Sequence, residues 1–95
     1  MHYEIRWARE VLDAMMGSLP PGLLPELQQH LNKLAANPTA LSEKSIYTEQ
    51  IKGQIYRFPC LHRPDGTRFE CEIIFLYDQN EQTLWIVGFS VDEAT

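Results

Sequence analysis

The stretch QIYRFPCLHRPDGTRFECEIIFLYDQNEQTLWIVGFSV, residues 54–91, decides the fold. QIYRFPCLH alternates between apolar and polar positions. TRFECEIIFLYD puts Phe69, Cys71, Ile73, Phe75 and Tyr77 on one side, and QTLWIVGFSV does the same with Trp85, Val87, Phe89 and Val91. A period of two is the signature of strands with one buried face. The connections RPDG and DQNEQ are rich in turn formers, so the three strands make an antiparallel meander. At the centres of the last two strands the second face is apolar as well, with Ile74 and Leu76 on one and Leu84 and Ile86 on the other. Such strands are central in a sheet, or keep one face for a partner.

The first hairpin admits two registers. A two-residue Asp65-Gly66 loop sets Cys60 opposite Cys71 and aligns Tyr56, Phe58 and Cys60 with Cys71, Ile73 and Phe75. A three-residue Pro64-Asp65-Gly66 loop sets Cys60 opposite Glu70. Proline at 64 favours the longer loop, because it cannot donate the hydrogen bond of the tighter one. The apolar alignment favours the shorter, and the sequence leaves both open.

Outward from this meander, HYEIRW alternates, with Tyr3, Ile5 and Trp7 on one side and Glu4 and Arg6 on the other, as in a half-buried strand. Ala8, Val11, Leu12 and Met15 then fall on one helix face. Gly17 ends this helix, and GSLPPG forces a turn. A second helix carries the stripe Leu23 or Leu24, Leu27, Leu31, Leu34 and Ala35, with Pro25 in its first turn and ANP at 36–38 closing it. Residues 39–53 are a polar connection with a short strand or turn at SIYTEQIKG. The order is β-α-α-β-β-β, an α+β fold whose antiparallel sheet is covered on one face by a two-helix hairpin.

The 95 residues make one domain spanning 1–95, and 44% hydrophobic content is enough for a modest core. No run of apolar residues is long enough for a membrane span, the N-terminus shows no apolar signal segment, and a reducing cytoplasm is the expected compartment. The net charge of −5 argues against whole-surface attraction to nucleic acid. Its distribution is uneven. Residues 43–68 carry five basic side chains against three acidic, whereas residues 69–95 carry six acidic and none basic.

Within the basic stretch, Lys52, Arg57, His62, Arg63 and Arg68 lie on or beside the first hairpin. They make either a solvated surface paired to Glu70 and Glu72, or a phosphate-contacting patch with a histidine suited to proton transfer. Trp85 and Tyr56 are candidate base-stacking platforms, although strand aromatics are more often core. Cys60, His62 and Cys71 supply at most three metal ligands, without a paired C-x-x-C spacing, so no metal or other cofactor is expected. In a cytosolic chain the two cysteines are expected as buried thiols rather than a disulfide. Glycine-rich phosphate loops and hydrolase motifs are absent from the sequence.

Taken with the element order, YEIRWAREVLDAM (3–15), LNKLAANP (31–38), IKGQIYRFPCLH (51–62), TRFECEIIFLYD (67–78) and TLWIVGFSV (83–91) resemble the RelE/ParE toxin superfamily of bacterial type II toxin–antitoxin systems. The likeness covers nearly the whole chain and rests on the order and spacing of these segments. It implies the toxin component of such a system, a RelE-like, metal-independent mRNA endoribonuclease that stops translation on the ribosome and so inhibits growth. The alternative is a ParE-like gyrase inhibitor, or a protein-binding module of the same fold without catalysis. An antitoxin protein that wraps the toxin into a hetero-oligomer is the implied partner. Arg57 matches the arginine of the family's "YR" motif and Arg68 that of the following strand. The expected catalytic set is Arg57 and Arg68 with His62 as candidate acid or base, and Lys52 and Arg63 are expected to hold RNA; His62 and Arg63 lie where a substrate-facing cation could sit without matching a fixed motif position. RNA-cleaving members usually carry arginine, histidine or tyrosine just after the last strand, where this chain has GFSVDEAT (88–95).

Overall fold

The computed structural model describes residues 2–38, 43–44 and 54–94. Along the chain lie β1 (Glu4–Trp7), α1 (Arg9–Ser18), a 3-10 turn (Pro21–Leu23), α2 (Leu24–Ala36), β2 (Glu43–Lys44), β3 (Gln54–His62), β4 (Thr67–Asp78) and β5 (Thr83–Ala94). The sheet order is β1-β5-β4-β3-β2. β3, β4 and β5 form the antiparallel meander, and β1 joins its far side parallel to β5. The α+β order read from the sequence therefore holds, with the two-residue β2 added at the β3 side. The segment SIYTEQIKG lies outside the described residues.

One face of this sheet and the apolar stripes of both helices make the core. Met15, Leu19, Leu23, Leu27, Leu31 and Leu34 meet Tyr56, Phe58, Cys60, Cys71, Ile73, Phe75, Leu84 and Ile86, all buried. Tyr3, Ile5 and Trp7 close its β1 side, with Tyr3 edge-on to Tyr77 at 6.1 Å between ring centroids. Leu23 is buried and Leu24 is 37% exposed, so the stripe of α2 begins one residue before the helix proper. α1 runs one residue past Gly17, contrary to the sequence reading. It stops where Leu19 adopts an extended ψ of 127°, the conformation that the following Pro20 imposes. Asn37 ends α2 in the same way, ahead of Pro38.

Neither proposed hairpin register is adopted. His62 pairs with Thr67, leaving a four-residue loop 63–66 in which Gly66 takes a φ of 72° and its N–H donates to His62 O at 2.9 Å. This loop spares Pro64 a donor role and shifts the strands by two residues from the tight register, which keeps every side chain on its face. Cys60 is thus opposite Phe69, and Phe58 is opposite Cys71.

A second irregularity changes the reading of β5. Ile74 pairs with Gly88 but Phe75 pairs with Ile86, so Val87 is an extra residue on β5. A bulge of this kind flips the alternation of the strand that contains it. Leu84 and Ile86 face the core before it, Phe89 and Val91 after it, and Trp85 stands on the opposite face. The expectation that Trp85, Val87, Phe89 and Val91 share one side is corrected accordingly. So is the placing of Leu84 and Ile86 on the second face.

Candidate functional site

Strict alternation along β3 and β4 decides where the candidate side chains go. Arg57 and Arg68 share parity with Pro59, Leu61, Glu70 and Glu72, and stand on the sheet face that no described helix covers. His62 shares parity with Cys60 and Phe58 and stands on the helix side. The three residues taken as a catalytic set are therefore divided between the two faces. Arg57 and Arg68 are also separated along the sheet, since Arg57 pairs with Glu72 and Arg68 with Leu61. Four residues of strand put about 13 Å between those positions. Lys52 lies outside the described residues.

Two of the candidate residues have a local explanation. Arg57 Nε donates to Glu72 Oε2 at 2.9 Å, the cross-strand pairing expected of a solvated hairpin. His62 Nδ1 is 2.9 Å from Asp65 Oδ1. A carboxylate only accepts, so Nδ1 is the donor, and the far ring nitrogen is Nε2. That nitrogen faces the 3-10 turn so closely that a Cβ on Gly22 would stand 3.1 Å from it. The Asp65 carboxyl is pulled down to about 2, first by the N–H of Thr67 and then by His62. His62 is thus a hinge pin of the hairpin, held from both sides.

The hairpin end nevertheless gathers two arginines. Arg63 lines an open groove of about 330 Å³ with Gly22, Pro25, Glu26, Gln29, Leu61 and Pro64. Arg68 lines a neighbouring recess of about 310 Å³ with Glu26, Pro59, Cys60 and Leu61. Glu26, which sequence reasoning passed over, stands between them. Its Oε2 accepts the Leu61 N–H at 3.0 Å. That N–H points away from β4, so position 59 faces the same way, and there proline has no N–H to leave exposed. Proline and a capping carboxylate together blunt this stretch of the β3 edge.

His30 was also missed, because it sits on α2 without a motif around it. Its Nδ1 is 2.7 Å from Tyr56 Oη, and its ring stacks on Phe58 with centroids 4.2 Å apart. Burial, then the Lys33 charge, lowers its pKa, and burial raises that of Tyr56. Tyr56 is buried in the core and is no base-stacking platform, whereas Trp85 is 42% exposed on the open face with Arg6 Cζ 5.5 Å from its ring centroid.

Cys60 and Cys71 are both reduced and buried, with Sγ atoms 3.9 Å apart across the diagonal of the β3–β4 ladder. Burial pushes Cys71 up to about 12 and Cys60 upward as well, so both are held as thiols. Among the described residues no three His, Cys, Asp or Glu side chains converge as metal ligands. The stretch GFSVDEAT is, through Ala94, the second half of β5, running beside β4 as far as the Arg68–Ala94 pair. No family model, curated protein or solved structure matches the chain. No helix among the described residues is long and apolar enough to cross a membrane.

Proposed function

We propose that the chain is a RelE/ParE-like toxin domain of the bacterial cytoplasm, paired with an antitoxin, and that it acts by gripping a macromolecular target rather than by cutting RNA. The observation that carries the second half of this reading is the division of the candidate residues. His62 is pinned on the helix side, while Arg57 is engaged by Glu72 on the other. General acid–base chemistry needs its groups within hydrogen-bond reach of one reacting centre, and these do not share one. The first half rests on the resemblance, supported by the element order and the helix-backed meander. Fold alone does not carry function.

Inducing the chain in a bacterial host, with pulse-labelled protein and DNA synthesis recorded separately, tests the reading. Growth arrest with DNA synthesis failing first, unchanged by His62→Ala, is the expected result and corresponds to a ParE-like action on gyrase. A second reading, mRNA cleavage, draws on the two arginines that flank Glu26 at the hairpin end. It requires protein synthesis to stop first and Arg63→Ala with Arg68→Ala to abolish the effect. Full growth at confirmed soluble expression removes toxin action altogether.

A further inference from the structure

We propose that the β3–β4 hairpin is a redox-gated register switch, in which joining Cys60 to Cys71 as a disulfide moves the hairpin into a second register two residues away. The inference is independent of the toxin reading. In the observed register Cys60 pairs with Phe69 and Cys71 with Phe58, so the two thiols meet along a diagonal with Sγ atoms 3.9 Å apart. Diagonal neighbours on two strands stand about 7–8 Å apart, at or beyond the reach of a disulfide. Direct partners in a hydrogen-bonded pair stand about 5.5 Å apart at Cα, inside that reach. The Leu61 N–H points away from β4, so Cys60 belongs to the set that bonds to β4. Sliding β3 by two residues makes Cys60 and Cys71 direct partners of this kind. Such a slip keeps every side chain on its own face. It sets Phe58 opposite Ile73 and Tyr56 opposite Phe75.

The loop sequence serves both registers. The observed loop spans 63–66, with Gly66 at a φ of 72° and its N–H donating to His62 O at 2.9 Å. The slipped register leaves the two-residue loop Asp65-Gly66, a pair suited to the left-handed positions of a tight hairpin turn. Two features hold the reduced chain in the first register. The slipped one asks position 64 for an N–H, which proline lacks. It also sets Arg63 directly opposite Arg68, where like charges repel. The observed register keeps the Leu61 N–H on Glu26, and Tyr56 Oη within 2.7 Å of His30 Nδ1. A covalent bond that only the slipped register accommodates reverses this preference. Cys60 and Cys71 are 2% and 1% exposed, so exchange proceeds while the hairpin is open. With glutathione disulfide as oxidant, one protein thiolate attacks a glutathione sulfur and expels a glutathione thiolate. The second protein thiolate then attacks the mixed disulfide and expels the other. Two protein thiols are oxidised, one glutathione disulfide is reduced, and both protons pass to the departing thiolates.

Incubating the full-length chain with glutathione disulfide in urea below its unfolding midpoint, and then removing the urea, tests this. The expected product carries an intramolecular disulfide and the circular dichroism of a folded chain. Its register is read from close Hα–Hα contacts in NMR spectra, which mark the non-hydrogen-bonded pairs. The reduced chain should show the Leu61–Arg68 contact of the observed pairing. The oxidised chain should show Leu61–Glu70 in its place, and dithiothreitol should restore the first contact. Pro64→Ala supplies the missing donor and should raise the equilibrium constant for oxidation about fivefold, the effect of one hydrogen bond. Cys60→Ser should keep the Leu61–Arg68 contact with and without oxidant. An oxidised chain that retains the Leu61–Arg68 contact overturns the proposal. So does a product that stops at the glutathione adduct, an oxidised chain that does not refold, or a folded Pro64→Ala variant that oxidises no more readily.

Discussion

The two faces of one sheet are built from alternate residues of the same strands, yet they obey different rules. On the helix side Phe58, Cys60, Cys71, Ile73, Phe75, Leu84 and Ile86 are each at most 2% exposed, and no polar side chain is buried among them. On the other side, part-buried Ile74 and Leu76 alternate with Glu70 and Glu72 beside Arg57 and Arg68, and Ile55, paired with Ile74, is 4% exposed. The first face is fixed by packing and excludes chemistry, since even its two thiols are silenced by burial. The second keeps apolar area and charge side by side, the composition of recognition surfaces. Stability therefore belongs chiefly to the parity of β4 that faces the helices.

The contrast is broken most directly at neighbouring residues. Phe75→Ala should cost about 3–5 kcal/mol in urea unfolding, because it removes a fully buried ring from the core. Leu76→Ala, one residue on, should cost less than about 1.5 kcal/mol. Equal losses would show that the open face is packed like the core. Cys71→Ser comes next at about 1–3 kcal/mol, since it buries a hydroxyl among aromatics and aliphatics. In the unmutated chain neither thiol should react with an alkylating reagent at pH 8 until denaturant is added.

How much of this was legible depended on whether the signal was local. The alternation of β3 and β4 and the leucine stripe of α2 are local, and both appear as read, down to Phe69, Cys71, Ile73, Phe75 and Tyr77 on one side. The bulge at Val87 was not legible. Nothing in LWIVGF marks which residue is skipped, and only the pairing of β5 with β4 selects it. The hairpin register failed for a related reason. Both candidate loops were weighed by turn chemistry at Pro64 and Gly66, whereas a two-residue slip satisfies the turn and the faces together. Among the candidate site residues, parity along β3 already placed His62 and Arg57 on opposite faces, and a count of two along the strand would have separated them. Glu26 and His30 could not be found this way, because their partners Leu61 and Tyr56 lie 35 and 26 residues away.

The pH response sharpens the contrast from the helix side. His30 has a lowered pKa in the folded chain, so on acidification the unfolded chain takes up this proton first. Its contribution to stability is complete above about 6.5, declines as pH falls below that value and levels off beneath the folded-state pKa. His30→Gln should remove this slope from unfolding curves recorded between pH 7 and 5. Asp65 acts in a separate window. Its contribution is present above 3.8 and is lost as pH falls toward about 2, so it leaves the His30 window undisturbed.

The smallest effect is expected where the open face looks most ordered. The Arg57–Glu72 bond is short at 2.9 Å, but the two side chains are 55% and 32% exposed. Water screens such a pair, and ordering two long side chains offsets part of the attraction. A double-mutant cycle with Arg57→Ala and Glu72→Ala should give a coupling of about 0.2–1 kcal/mol that shrinks as salt is added. A coupling well above that range would mean that Arg57 is held for stability and has little freedom to meet a ligand. A coupling inside the range would show that Glu72 alone does not fix Arg57, and that the strand keeps its place through the core behind it rather than through this pair.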